Sequence, residues 1–180
     1  VCKIPGVVED ASLTVALADA ASADVGPKAR NLARLLAAGL PVPPGFALRD
    51  AAWRARRDPT EPVADAVARL VEGIVAAHGR IDVLFNNAGM FVPNEVHEIA
   101  EDEWARVLDA NLTSVYLVSK HVVPHMLARG KGAIVNNSSV VGLVGDFKSA
   151  AYCAAKGAVA QLTRAMALDY ARRGIRVNAI

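Results

Sequence analysis

Ser138-Ser139-Val140-Val141-Gly142 and, after a short loop, Ala151-Tyr152-Cys153-Ala154-Ala155-Lys156 decide how this chain is read. Tyr152 and Lys156 are four apart, so on a helix their side chains share one face, one turn apart. A tyrosine hydroxyl ionises near pH ~10 on its own, and an ammonium beside it favours the phenolate, which moves such a pair toward general acid/base work at neutral pH. Ser139 follows the apolar run Ala133-Ile134-Val135, which reads as a buried strand. Its hydroxyl then sits at that strand's C-terminal edge, where open α/β sheets bind ligands. Tyr-x-x-x-Lys alone is weak, because aromatic and lysine residues meet at this spacing on many ordinary helices. The weight lies in its combination with a strand-end serine and with what surrounds both.

Working outward, Ile81-Asp82-Val83-Leu84-Phe85 is short, largely apolar and bounded by Gly79 and Asn86-Asn87-Ala88-Gly89, the pattern of a buried parallel strand ending in a turn. Ala88 and Gly89 let a ligand or another segment approach the backbone. The turn is also readable as a plain strand ending. Before it, Val67, Leu70, Val71, Ile74 and Val75 recur at helical spacing and Gly79 closes the run. After it, residues 100–129 form a long helical pattern whose apolar face carries Trp104, Val107, Leu108, Leu112, Val115 and Tyr116. Asn111 lies inside that pattern, where its amide competes for backbone hydrogen bonds, so it is either satisfied by the core or functional. Asn137 puts an amide in a strand and needs partners there. Residues 142–147 form a mostly apolar loop suited to lining a substrate site. A helix over about 150–172 and a strand from Ile175 to Ile180 complete the chain. This alternation predicts an α/β fold, a partial Rossmann-like doubly wound parallel sheet preceded by a helical and irregular segment.

Taken together, residues from about 58 to 180 resemble the short-chain dehydrogenase/reductases of the single-domain type. The resemblance implies an NAD(P)-dependent oxidoreductase that interconverts a small-molecule alcohol and ketone, with NAD or NADP as cofactor. Tyr152 would exchange the proton with the substrate oxygen, Ser139 would hydrogen-bond that oxygen, and Lys156 would assist Tyr152 and touch the nicotinamide ribose. Asn111 would sit at a local helix distortion, its backbone carbonyl holding a water that continues the proton path from Lys156. Asn86, Asn87, Ala88 and Gly89 would lie on the adenosine side of the dinucleotide, part of the motif also tying strands together. Asp58 would meet the adenine, although Pro59 interrupts the strand that would carry it. The family's pyrophosphate turn, Gly-x-x-x-Gly-x-Gly, does not occur in the 180 residues. The expectation is therefore a domain truncated at both ends that binds dinucleotide poorly and turns over little, or a non-catalytic fragment. The family also implies a homodimer or homotetramer through the helices holding Asn111 and Tyr152, with Ala154, Ala158, Leu162 and Ala165 facing outward.

The first part of the chain reads differently. Val25-Gly26-Pro27-Lys28 precedes a helix-like run to Ala38, Gly39 stands where a helix C′ glycine belongs, and Pro41, Pro43 and Pro44 bar continuation. Residues from about 15 to 57 resemble the N-terminal ATP-binding region of phosphoenolpyruvate synthases and pyruvate phosphate dikinases, which implies a nucleotide contact at Lys28. Pro27 in place of that family's glycine removes a backbone donor, so the segment reads as a structural remnant. The domain organisation expected is 1–57 and 58–180.

Composition narrows the classes. The 180 residues are 53% hydrophobic, enough for one sizeable core. Twenty basic and 18 acidic residues leave a net charge of +2, which points to neither nucleic acid nor an anionic membrane, and 5% aromatic content argues against a base-stacking surface. Cys2 and Cys153 form no disulfide framework and suit a reducing, cytoplasmic setting. His121 and His125 could share a helical face, but no third ligand accompanies them, so no metal is expected.

Overall fold

The computed structural model describes residues 14–16, 27–39, 46–48 and 63–180. They belong to two compact units, Val1–Ala66 and Val67–Ile180. In the first, β1 (Thr14–Ala16) pairs antiparallel with β2 (Phe46–Leu48), and α1 spans Pro27–Ala37. Pro27 opens that helix and Gly39, at φ 75°, follows its end, as the sequence predicts. The two strands add a short antiparallel pair to the helical and irregular segment expected there. Thr14 and Val15 are β-branched, and Phe46 follows prolines that exclude a helix. Lys28 falls within α1, whereas Asp58 and the junction around it lie outside the described residues.

Helix α2 (Val63–His78) crosses the boundary between the units. The second unit holds a three-stranded parallel sheet in the order β3 (Val83–Asn86), β4 (Gly132–Asn136), β5 (Ile175–Ala179). Its register pairs Asn86 with Asn136 and Asn136 with Ala179. Between β3 and β4 run α3 (Glu101–Leu108), a π-helical turn (Asp109–Thr113) and α4 (Ser114–Arg129). Between β4 and β5 runs α5 (Ala150–Tyr170). Glycines with positive φ, Gly130 and Gly174, release the chain from α4 and α5 into the strands that follow.

Two details depart from the periodicity. Within β3, Val83 and Phe85 are exposed while Asn86 is buried. Among the described residues β3 is an edge strand, paired on one side only, and α4 packs against it, which leaves Val83 and Phe85 open. In the long helix the π-helical turn inserts an extra residue, which resets the buried face to Val107, Asn111, Val115, Ser119 and Val123. Tyr116, expected on the apolar face, is half exposed as a result.

A polar network runs through the core under the sheet's C-terminal end. Asn86 Nδ2 donates to Ser119 Oγ at 3.1 Å and to Asn136 Oδ1 at 2.9 Å. Asn136 Nδ2 donates to Thr163 Oγ1 at 2.9 Å, and that hydroxyl donates to the Val159 carbonyl at 2.7 Å. Two strands and two helices are thus joined by fully paired buried groups. The arrangement favours one strand register, since any slip would leave several of them unsatisfied.

Candidate active site

The parallel ladder continues past the formal strand ends. Asn137 N–H donates to the Asn86 carbonyl and Ser138 N–H to the Ile180 carbonyl, each at 2.8 Å. Ser139 is therefore the first residue released at the sheet edge. It caps a 3₁₀ turn (Val140–Gly142), its Oγ accepting from Val141 N–H at 3.4 Å, which leaves the hydroxyl hydrogen to donate. The turn is fastened to α5. A methyl group at Gly142 would lie 2.7 Å from the Lys156 carbonyl oxygen, and Ser138 Oγ donates to that same oxygen at 3.0 Å. Sequence-distant Ser139 and Lys156 are brought together by these contacts.

Lys156 is 2% exposed. Its Nζ donates to the Asn137 carbonyl at 2.7 Å and lies 5.5 Å from the Tyr152 ring centroid. Burying an ammonium costs several kcal/mol unless polar partners meet it, and the Asn137 carbonyl is one such partner. Tyr152, half-buried, packs edge-to-face on Phe91, with centroids 5.4 Å apart and planes at 76°.

Across from Lys156 stands the turn after β3. A methyl group at Gly89 would lie 2.6 Å from Asn111 Oδ1 and 3.5 Å from Lys156 Nζ, so these three residues meet. Asn111 is fully buried in the π-helical turn, the local distortion expected there. Its Nδ2 donates to the Met90 and Val107 carbonyls, both at 2.8 Å, and so ties the 87–90 loop to the helix. Its Oδ1 is buried and has no hydrogen-bond partner. An orphaned acceptor beside a buried ammonium and a strand-end glycine is a cost of about 1–3 kcal/mol that suits a ligand site.

The Asn86 to Gly89 motif divides in two. Asn86 points into the core network and is the part that ties strands together. Asn87 Oδ1 accepts from Asn137 Nδ2 at 3.0 Å, so the amide of Asn137 has its partner, and Ala88 and Gly89 are exposed. Sequence reasoning missed Asn136, Ser119 and Thr163, although a second amide at the inward parity of the Gly132, Ile134, Asn136 series was a signal. It also missed Phe91. No cluster of three or more metal-ligating side chains occurs among the described residues, and His125 Nε2 pairs with Glu72 Oε1 at 3.2 Å.

These groups are small residues at the C-terminal edge of a parallel sheet, where open α/β sheets bind ligands, with an unpartnered amide oxygen, a buried ammonium and two hydroxyls close by. Residues 52–180 match the short chain dehydrogenase family. The cis-4-hydroxycyclohexanecarboxylate dehydrogenase of Sinomonas cyclohexanicum is 49% identical over 138 residues, 74% of this chain and 55% of that protein. NAD+-bound xylitol dehydrogenase superposes with a TM-score of 0.63 at 42% identity, covering 64% of this chain and 45% of that one. ElxO with NADP bound gives 0.64 at 35% identity, covering 65% and 48%. The chain spans about half the length of these relatives. They lend no support to the resemblance of residues 15–57 to phosphoenolpyruvate synthases. A match over residues 52–180, on a parallel α/β fold shared with NAD+-bound xylitol dehydrogenase and NADP-bound ElxO, shows that this chain belongs to the short-chain dehydrogenase family.

Proposed function

We propose that the chain is an NAD- or NADP-dependent oxidoreductase that interconverts a small secondary alcohol and a ketone. The observation that carries this is the buried Lys156 ammonium, set against the Tyr152 ring and within reach of Gly89 and Asn111. Asn87, Ala88, Gly89, Tyr152 and Lys156 would hold the dinucleotide, and a bound nicotinamide supplies or accepts the hydride. Tyr152 Oη gives a proton to the substrate oxygen during reduction and takes it back during oxidation. Ser139 Oγ donates a hydrogen bond to the same oxygen, stabilising charge that develops there. Lys156 keeps a positive charge beside the tyrosine, and Asn111 fixes the facing loop and offers its backbone carbonyl to a relay water. Asp58 would contact the adenine.

The sequence holds no Gly-x-x-x-Gly-x-Gly turn, the usual anchor of the pyrophosphate, so the 180-residue chain should hold nucleotide weakly. That same feature favours a second reading, a non-catalytic fragment. Titrating NADH and NADPH fluorescence separates the two. The first reading expects weak binding that Lys156→Met weakens further, and identical titrations for wild type and variant would overturn it.

Three further assignments accompany this reading. The boundary near residue 58 is supported by the family match beginning at residue 52 and the compact unit beginning at Val67. A cytoplasmic setting rests on the cysteine usage; no helix among the described residues is long and apolar enough to cross a membrane. Self-association, as homodimer or homotetramer, is supported by a groove of about 440 Å³ between α4 and α5, lined by Tyr116, Pro124, Leu127, Leu162, Ala165 and Tyr170. Leu162→Arg should convert the assembly to monomer in sedimentation, and an unchanged sedimentation coefficient would exclude this face.

A further inference from the structure

Two loops flank Tyr152, and both are apolar where they meet solvent. One follows β3 and presents Phe91, 52% exposed and already in edge contact with the Tyr152 ring. The other joins β4 to α5 and exposes Val140, Leu143, Val144 and Phe147, the last at 80%. Gly142, inside that second loop, rests on α5 at Lys156, one turn beyond Tyr152, so the loop is anchored to the helix that carries the tyrosine. Four large apolar side chains exposed within eight residues are an unusual concentration, and such patches mark binding sites.

The loops do not float independently. Asn94 N–H donates to the Lys148 carbonyl at 2.9 Å, and Asn94 bridges to Ser149. Lys148 Nζ approaches Glu95 Oε1 at 3.8 Å and lies 5.7 Å from the Phe147 ring centroid. Lys148 is also the one non-glycine residue with positive φ among the described residues, at 50°. Strain of this kind persists where surrounding contacts over-determine it, and here those contacts fix the spacing of the two loops. The two linked loops and their exposed apolar side chains delimit an apolar slot.

We propose that Phe91 is the specificity-determining residue of this site and the positioning residue for Tyr152. This rests on the alcohol/ketone reading above. Its contact with Tyr152 holds the phenol ring in one orientation, while its exposed half, with Val140, Leu143 and Phe147, receives the hydrocarbon part of the substrate. The substrate class is a secondary alcohol or ketone flanked by a bulky apolar group, a carbocycle or a branched chain, in preference to a short polyol whose hydroxyls would find no partners along the slot.

The test uses the full chain with cyclohexanone and dihydroxyacetone as probes. Binding is read by saturation-transfer NMR without nucleotide, and turnover with NADH or NADPH. Phe91→Ala should weaken cyclohexanone binding about tenfold and leave dihydroxyacetone unchanged. Phe91→Leu, which keeps an apolar side chain without a ring face, should fall between and guards against simple misfolding. Leu168→Ala removes a still more exposed apolar side chain at the far end of α5 and should change neither probe. In turnover, Phe91→Ala should raise KM for cyclohexanone and also lower kcat, because the phenol loses its orienting contact. Equal loss of both probes, or cyclohexanone binding independent of Phe91, overturns the proposal. Phe91-dependent cyclohexanone binding without nucleotide-linked turnover would instead overturn the oxidoreductase reading and leave the apolar slot standing.

Discussion

Gly89→Ala is the sharpest perturbation of the site, because its effect follows from one contact. Gly89 does not adopt positive φ, so the backbone itself would accept alanine. The obstacle is the methyl group, which would lie 2.6 Å from Asn111 Oδ1, well inside van der Waals contact, and 3.5 Å from Lys156 Nζ. Asn111 cannot simply swing aside, since its Nδ2 is held by two buried carbonyls at 2.8 Å. Either the loop lifts or one of those hydrogen bonds breaks. Overpacking costs about 1–3 kcal/mol, and a lost buried hydrogen bond about 1–3 kcal/mol more. A total of roughly 2–6 kcal/mol corresponds to a factor of about 30 to about 20,000 in the folded ratio. Urea unfolding followed by far-ultraviolet circular dichroism measures it. Gly145→Ala is the control, because a methyl group there meets nothing within 4 Å. If Gly89→Ala matches wild type in urea midpoint and in NADH affinity, the close approach of Gly89, Asn111 and Lys156 is refuted.

Three other outcomes follow. Asn136→Leu should cost about 2–4 kcal/mol, because Asn86 and Thr163 lose their shared partner inside the core; adding Asn86→Leu should cost less than the sum, and strict additivity in urea unfolding would mean the network does not couple them. The hydrogen bond from Arg129 holds the exposed Asp82 carboxyl below its ordinary value of 3.8, opposed by desolvation and aided by Arg80. Since the folded value lies below the unfolded one, this stabilisation is present above pH about 4 and is lost as pH falls through the folded value. Asp82→Asn should therefore flatten the acid side of the stability curve, and parallel curves for both proteins below pH 4 would contradict that assignment.

Much of this molecule is legible in its sequence because its elements are locally consistent. The helix carrying Tyr152 and Lys156, the strand before Ser139 and the glycine that ends α5 are all marked by period and by turn residues. The structure brings Asn111, Gly89, Tyr152 and Lys156 into one place. What periodicity could not convey was non-local. The extra residue of the π-helical turn changes which side of α4 is buried, and nothing in Asp109 to Thr113 announces it except an asparagine in a helix interior. The Ser119, Asn86, Asn136, Thr163 network depends on register between segments far apart in sequence. Exposure of Val83 and Phe85 depends on which neighbours the strand has, a property that an apolar run does not encode.

The central claim is that Tyr152, supported by Lys156, moves the proton in a nicotinamide-linked reaction. Its most direct measurement is ketone reduction followed at the NADH or NADPH absorbance band, at millimolar nucleotide, for wild type and Tyr152→Phe. The variant keeps the ring, its contact with Phe91 and its packing over Lys156, and loses only the hydroxyl. The account predicts slow wild-type turnover and a drop of about 10²–10⁴-fold in Tyr152→Phe, with nucleotide binding retained. Equal turnover in the two proteins, or none in wild type with either nucleotide at that concentration, would contradict it.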